Sequence, residues 1–376
     1  MEKQINPFLT SGYIGPEYFC DRHQETERLL GELSSGNSMV LVSTRRMGKT
    51  GLIRHCFGHP EIKTNYYAFF IDIYATKSLA DFVFLFGKEI VQALQPLGSR
   101  AMQKFWRYVK SLRSCISFDA VGVPTFSLGL GKIETAEHSL DEIFSYLANA
   151  DKPCLIAIDE FQQIASYPER QTEALLRTHI QRTQNVRFVF SGSRHHLMGQ
   201  LFLSASRPFY QSASMLHLQP IDLTAYTAFA QYHFCCHKKT IRSDAVTALY
   251  HRFDGITWYM QKMLHVLFNT TQEHGVCTVE QIPDAVKAVV DSYDYVYAET
   301  LFRLPQKQAK LLVAMAKEER IHAPTSGSFV QKYGLISASS VQAALKILLE
   351  KDFVTQEHGV YHIYDRFFAD WLRRNY

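Results

Sequence analysis

At 376 residues, with 47% hydrophobic, 20% charged and 13% aromatic side chains, the chain has the size and composition of two or three packed domains; a single small module and a globally disordered chain are both excluded. Forty Lys and Arg against 36 Asp and Glu leave a net charge of +4, too little to hold a polyanion without a local patch. The start, Met1-Glu2-Lys3-Gln4-Ile5-Asn6-Pro7-Phe8, lacks the apolar stretch of a secretion signal, and no apolar run approaches the ~20 residues of a membrane span, so a cytoplasmic protein without membrane contact is expected. Seven cysteines at irregular spacings, two of them (Cys56 and Cys154) inside apolar runs, read as reduced thiols.

In chain order, the first 220 residues alternate short apolar runs with longer amphipathic ones. The runs 38–42, 66–74, 153–158, 186–190 and 215–218 are rich in β-branched or aromatic residues, and several are apolar throughout, as strands buried on both faces of a parallel sheet are. Between them the spacing predicts helices over 51–57, 79–94, 140–147 and 172–184, the third opened by a capping box, Ser139-Leu140-Asp141-Glu142. This alternation is that of a doubly wound α/β unit with a parallel sheet. The stretch 98–132 carries little pattern beyond a candidate edge strand at 125–130.

From Asp222 to about Leu304 only helical periodicity remains, over 223–234, 243–253, 256–269 and 279–301, which makes a helical subdomain. Beyond Pro305 come helices over 306–317, 329–333 and 339–351, the last capped by serine, then strands at 353–356 and 360–364 around Glu357-His358-Gly359. Three helices and a hairpin follow the winged-helix order. The expected domains are 1–221, 222–304 and 305–376.

The chemistry concentrates where the first strand meets its helix. Val40-Leu41-Val42-Ser43-Thr44-Arg45-Arg46-Met47-Gly48-Lys49-Thr50 meets the pattern G-x-x-x-x-G-K-[ST] at Gly48, Lys49 and Thr50, with Ser43 in place of the first Gly. Backbone N–H groups at a helix N-terminus surround phosphate oxygens, a lysine reaches the β and γ phosphates, and a Thr hydroxyl ligates Mg²⁺. The expected nucleotide contacts are Ser43, Arg45, Arg46, Met47, Gly48, Lys49, Thr50 and Gly51. About 110 residues on, the apolar strand Cys154-Leu155-Ile156-Ala157-Ile158 ends in Asp159-Glu160. Asp159 is placed to hold Mg²⁺ and Glu160 to polarise the attacking water. The strand 186–190 ends in Ser191-Gly192-Ser193-Arg194, where Ser191 or Ser193 can orient that water. ATP or ADP with Mg²⁺ is the expected ligand, and Glu160, Lys49 and Ser193 are the candidate catalytic residues.

With these residues the chain resembles the archaeal-type ATPase family of STAND P-loop NTPases, relatives of AAA+ ATPases, over nearly its whole length. Asn6-Pro7-Phe8 and Phe19-Cys20-Asp21-Arg22 match the family's opening in spacing, and the resemblance implies that Phe8, Phe19 and Arg22 lie near adenine. Arg45-Arg46-Met47-Gly48-Lys49-Thr50, Asp159-Glu160-Phe161-Gln162, Arg207-Pro208-Phe209-Tyr210 and the ending Asp365-Arg366-Phe367-Phe368-Ala369-Asp370-Trp371-Leu372 are similar to the family's other motifs. The helical stretch looks like its lid. Two departures stand out: Gly255-Ile256-Thr257 where members often have Gly-x-Pro, and Gln211-Ser212 where they have Gly-Arg, which leaves Arg207 and Arg194 as candidates to sense a γ-phosphate.

Other groups have plainer readings. In His233-Phe234-Cys235-Cys236-His237 only the two histidines share a helix face, which suits packing better than metal. The region 305–376 holds ten Lys and Arg against seven Asp and Glu, and its candidate recognition helix has only Lys346 and Lys351, with Ser339, Ser340 and Gln342 as further polar groups. A protein partner on the winged helix is therefore expected ahead of duplex DNA, which should bind no tighter than roughly 10⁻⁶ M. Three functions fit: a Mg-dependent ATPase acting as a nucleotide-controlled switch, an ADP-stabilised binding module with negligible hydrolysis, or an ATP-controlled DNA-binding factor.

Overall fold

A strand that is apolar at every position is stable only where both of its faces are covered. The computed structural model describes residues 5–113, 116–118, 124–126, 136–318, 320–357 and 359–376. Its first strands are β1 (Met39–Val42), β2 (Tyr67–Asp72), β3 (Ile116–Phe118), β4 (Pro124–Phe126), β5 (Cys154–Asp159), β6 (Val186–Gly192) and β7 (Ser214–His217). Five form one parallel sheet in the order β2-β5-β6-β1-β7; β3 and β4 pair with each other, antiparallel. The inner strands β1 and β5 are buried at every residue, whereas β2 and β7, at the edges, keep half-exposed positions.

Side chains of the inner strands alternate between two cores. Met39, Leu41, Leu155, Ala157 and Val189 pack with α1 (His23–Ser34), α2 (Lys49–Gly58) and α3 (Pro60–Asn65). Val40, Val42, Ile156, Ile158, Phe188 and Phe190 pack with α4 (Leu79–Leu94), α5 (Ser99–Tyr108) and α6 (Ala136–Ala148). Each such side chain contributes ~1.5–3 kcal/mol by leaving water. The helices α7 (Thr172–Arg182) and α8 (His195–Leu203) add Leu176, Met198, Leu201 and Phe202 to the second core.

Two local expectations are corrected here. Helix α6 starts at Ala136, so Ser139 lies inside it, buried, and no capping box forms; the Glu142 carboxylate instead accepts the N–H groups of Lys110 and Ser111. The good helix formers Ala136 and Glu137 extend the helix past the serine, and the carboxylate satisfies unpaired donors just beyond α5. The expected edge strand falls in β4 as far as Phe126, paired with β3 and outside the main sheet, and 127–130 lie outside the described residues. Cys20, Cys56, Cys154 and Cys277 are buried and Cys235 and Cys236 exposed, all as free thiols; Cys115 lies outside the described residues. Burial pushes the Cys20, Cys56 and Cys154 thiols up to about 12, so they remain protonated.

Two compact units divide the chain: Leu9–Tyr226 with Ile256–Tyr259, and the residues up to Phe8 with Thr227–Gly255 and Met260–Tyr376. In the second, helices α10 (Ser243–Arg252), α12 (Ile282–Ser292), α13 (Asp294–Phe302) and all but the first residues of α9 (Leu223–Cys236) and α11 (Thr257–Thr270) dominate, with β8 (Thr240–Ile241) and β9 (Val276–Cys277) as a short parallel pair. The expected helix 279–301 is broken. Thr278 forms a capping box on a 3-10 turn, Pro283 then sits in the first turn of α12 where its missing N–H costs nothing, and Tyr293 separates α12 from α13.

The C-terminal part runs α14 (Gln306–Glu318), α15 (Gly327–Lys332), α16 (Ala338–Glu350), the antiparallel hairpin β10 (Val354–Glu357) and β11 (Val360–Ile363), and α17 (Arg366–Asn375). The cap of α16 is Ser337, not Ser339: its hydroxyl accepts from the Ser340 N–H at 3.2 Å. Asp365 caps α17, which buries Phe367, Phe368, Trp371 and Leu372, and the Trp371 indole donates to Asp294 at 2.6 Å. Among the described residues no helix is long and apolar enough to cross a membrane.

Candidate functional site

The carboxyl ends of β1, β5 and β6 lie side by side in the sheet, so the residues that follow them meet. After β1, residues 43–48 form a loop that hands over to α2 at Gly48, whose φ of +92° is open to glycine. Ser43 is not among the positive-φ residues, so its position needs no glycine. Its hydroxyl donates to the Thr44 carbonyl at 2.9 Å and accepts from Lys49 Nζ at 3.2 Å. Lys49 is buried, and Nζ also donates to the carbonyls of Ser43 (3.1 Å) and Thr44 (3.3 Å). Burial lowers the Lys49 pKa, the carboxylates of Glu160 and Asp159 oppose that, and Arg45 lowers it further.

Arg46 adopts φ +71°, a left-handed conformation that costs a non-glycine residue of order 1–3 kcal/mol. Its surroundings offset the cost. The guanidinium lies 4.3 Å from the Trp258 ring and 5.1 Å from that of Tyr259, and it donates to the Tyr259 hydroxyl. A cation–π contact is worth ~0.5–2 kcal/mol and a charged hydrogen bond ~1.5–3 kcal/mol. The Trp258 N–H donates to the Arg46 carbonyl at 3.0 Å, and the Thr257 hydroxyl to the Met47 carbonyl at 3.1 Å. Thr257, where the resembling family often has proline, thus holds the loop by a side-chain donor.

Arg22 and Phe19 also reach this region. Arg22, buried and left-handed at φ +67°, pairs with Glu25 at 2.7 Å and donates to the Met47 carbonyl at 3.4 Å. Phe19 stacks on His55 with centroids 4.3 Å apart and lies beside Gly51, in the first turn of α2. Phe8 belongs to the second unit. It is fully buried in the second unit, with the rings of Phe229, His233, Phe234 and Phe268 at 5.7–5.9 Å and its carbonyl accepting from His265 Nδ1. His237 lies with its ring 5.0 Å from Phe268 and hydrogen-bonds the His233 carbonyl; among the described residues no group of three or more His, Cys, Asp and Glu forms a metal cluster.

After β5 the two carboxylates take different partners. Asp159 Oδ2 accepts from the Thr50 hydroxyl at 2.7 Å, and Oδ1 from the Glu160 N–H at 3.0 Å. A hydroxyl beside a carboxylate is an oxygen-only donor pair of the kind hard divalent cations prefer. Glu160, left-handed at φ +55°, turns the chain into the 3-10 helix Phe161–Ser166. Its Oε2 accepts from the Ser193 hydroxyl at 2.7 Å and from Gln162 Nε2, and Arg45 Nε reaches the same serine at 3.3 Å. Ser191 lies within β6, fully buried, so of the two serines it is Ser193 that meets the carboxylate. At Gly192, between them, a Cβ would sit 2.4 Å from the Met198 sulfur and 2.5 Å from Gln162 Oε1, so a larger residue would displace those two side chains.

The other arginines are placed as follows. Arg207 pairs with Glu173 of α7 at 3.3 Å, and Arg194 is an exposed residue at the N-cap of α8. Sequence reasoning missed Trp258 and Tyr259, because aromatic residues at helical spacing read as core; the signal lay next to the Thr257 departure. It also gave no role to Gln162 or to Tyr74, whose ring lies 5.6 Å from the Arg45 guanidinium.

Comparison with known proteins adds the following. A family model described as "Probable winged helix domain" matches residues 295–374. No curated protein matches the sequence. Among solved structures, the chain is similar to the Walker-type ATPase PABY2304 of Pyrococcus abyssi (18% identity, 98% of this chain and 99% of that one, TM-score 0.65). It is also similar to the ORC2 protein of Aeropyrum pernix in its ADPNP–ADP complexes (15%, 99% and 96%, TM-score 0.61) and to the ORC1 protein of Aeropyrum pernix in complex with DNA (14%, 96% and 94%, TM-score 0.53). The fold is thus an AAA+-like P-loop α/β fold with a five-stranded parallel sheet, a helical subdomain and a C-terminal winged helix.

Proposed function

We propose that this chain binds ATP and ADP with Mg²⁺ and is an ATPase whose nucleotide state controls a partner, within the archaeal-type branch of STAND P-loop NTPases. One observation carries the reading: two independently positioned carboxylates stand at the end of β5, one bonded to the hydroxyl that succeeds Lys49 and the other to the serine just beyond β6. Roles follow from these contacts. Lys49 meets the phosphates, with the N–H groups at the start of α2. Thr50 and Asp159 hold Mg²⁺, which when bound neutralises charge on the phosphate oxygens. Glu160 accepts a hydrogen bond from the attacking water and is aimed by Ser193 and Gln162; Arg45, at 3.3 Å from Ser193, adds positive charge. Phe8, Phe19 and Arg22 border the base side.

The similar ORC2 structure, with ADPNP and ADP, supports the choice of nucleotide, and the ORC1 structure, in complex with DNA, keeps duplex DNA among the partners. The domains are taken as 1–221, 222–304 and 305–376, with the winged helix as the partner-binding part. On α16 the exposed basic groups are Lys346 and, just beyond its end, Lys351, which favours a protein partner.

The test is calorimetric. ADP should bind the wild-type chain more tightly with Mg²⁺ than without it. Asp159→Asn should keep the Mg-free affinity and lose the increment, since the carboxylate serves the cation and not the base. Equal Mg²⁺ dependence in both proteins, or no ADP binding to either, would reject the assignment.

A further inference from the structure

The outer edge of the sheet borders a cavity that the nucleotide reading leaves unused. It measures about 530 Å³, inside the ~300–1,000 Å³ range of ligand sites. Tyr66, Tyr67, Ala68, Phe69 and Phe70 line it, so it runs along β2 and does not cross it. On its other side β2 pairs with β5, and among the described residues no strand pairs with the outer side. In a parallel ladder one residue turns both its N–H and its C=O to one neighbour and the next residue turns them the other way. Tyr67 and Ile73 donate inward, to the Pro153 and Asp159 carbonyls. Ala68 and Phe70 therefore present their backbone groups outward, on the cavity side.

The flanks match a strand-shaped occupant. Ile14, from the segment before α1, and Leu97, just beyond α4, line the cavity and are 56% and 55% exposed, large apolar side chains that a covering segment would bury. The charged lining is cationic only: Arg54, Lys63 and Lys152, with no Asp or Glu among the lining residues. Cations border both faces of the strand. The Arg54 guanidinium lies 4.6 Å from the Phe70 ring on one face, and Lys152 Nζ 5.9 Å from the Tyr67 ring on the other.

We propose that this edge takes up an extended acidic segment of a partner protein as an added β-strand. Main-chain pairing with Ala68 and Phe70 supplies the ladder, carboxylates meet the three cations, and apolar side chains cover Ile14 and Leu97. A DNA backbone has acceptors but no donors for the outward carbonyls, and an RNA backbone has only the 2′-hydroxyl, so a polypeptide fits better than a polyanion of that kind. The proposal is independent of the nucleotide site.

Hydrogen exchange on the free full-length chain provides the first check: the Ala68 and Phe70 amides should exchange fast and those of Phe69 and Ile71 slowly. Random peptides displayed on phage and selected on the full-length chain should converge on sequences that combine apolar with Asp or Glu residues, and a synthetic peptide of the selected sequence should slow the Ala68 and Phe70 amides. Ala68→Pro removes one outward N–H and keeps the inward pairing, so it should weaken that peptide by about 10-fold or more. Lys63→Glu, at an exposed residue, should weaken it as well and serves if the proline variant does not fold. Protected Ala68 and Phe70 amides in the free chain, selected peptides without acidic residues, or affinities indifferent to both substitutions would overturn the proposal. So would a single-stranded oligonucleotide that protects these amides in place of the peptide.

Discussion

Glu160→Gln should lower steady-state phosphate release by about 100-fold or more, the lower end of what a positioned general base contributes, while nucleotide affinity stays within about threefold. The substitution is conservative in shape. Ser193 and Gln162 both donate to one carboxylate oxygen, and an amide oxygen can accept both bonds in the same place. What is lost is the charge that draws a proton from water. Ser193→Ala removes one of two bonds that aim the carboxylate and should reduce kcat by a smaller factor, about 5- to 10-fold, from one hydrogen bond of ~1–1.4 kcal/mol. The measurement is multiple-turnover phosphate release with saturating ATP and Mg²⁺. A wild-type trace as flat as that of the mutant would leave a nucleotide-binding module without turnover, and an undiminished mutant rate would remove Glu160 from the mechanism.

Lys49→Ala should weaken ATP and ADP by about 10- to 150-fold, the equivalent of ~1.5–3 kcal/mol for charged hydrogen bonds, as read by titration calorimetry. The lysine is held in readiness by the loop alone: its three acceptors are the Ser43 carbonyl and hydroxyl and the Thr44 carbonyl. Truncation also strips those carbonyls of a donor, so the nucleotide-free variant should melt slightly lower. Comparing melting with and without nucleotide separates the two effects, because a lost phosphate contact shrinks the stabilisation brought by nucleotide and a lost loop contact does not. Unchanged affinity would reject the phosphate role.

The parts legible in the sequence are those where one physical demand dominates. Val40-Leu41-Val42 and Leu155-Ile156-Ala157-Ile158 are apolar without interruption because their alternate side chains enter different cores. Lys49, Thr50, Asp159, Glu160 and Ser193 were legible as a group because each stands at the end of a strand or at the start of the helix that its loop leads into, and parallel strands bring those ends together whatever the helices between them do. Other features depend on competition. Ser337 and Ser339 are both able to cap α16, and the spacing of apolar residues alone does not choose between them. Helix α17 went unread as a helix because Asp365 follows a hairpin directly, so its cap looks like a turn. The clamp on Arg46 was out of reach for a different reason: Tyr259 lies 213 residues away, and no local rule joins an arginine in a loop to an aromatic pair at the start of a distant helix.

That clamp has an optical meaning. Of the three tryptophans, Trp106 belongs to α5 and Trp371 to α17, while Trp258 lies with a guanidinium 4.3 Å from its ring and its backbone N–H on the carbonyl of the same arginine. The emission of an indole responds to a cation at that distance and to the polarity of what replaces it. With Trp106 and Trp371 changed to phenylalanine, the chain would carry a native fluorophore seated on its phosphate-binding loop, and any rearrangement of residues 43–48 would register as a change in intensity or wavelength without a label of any kind.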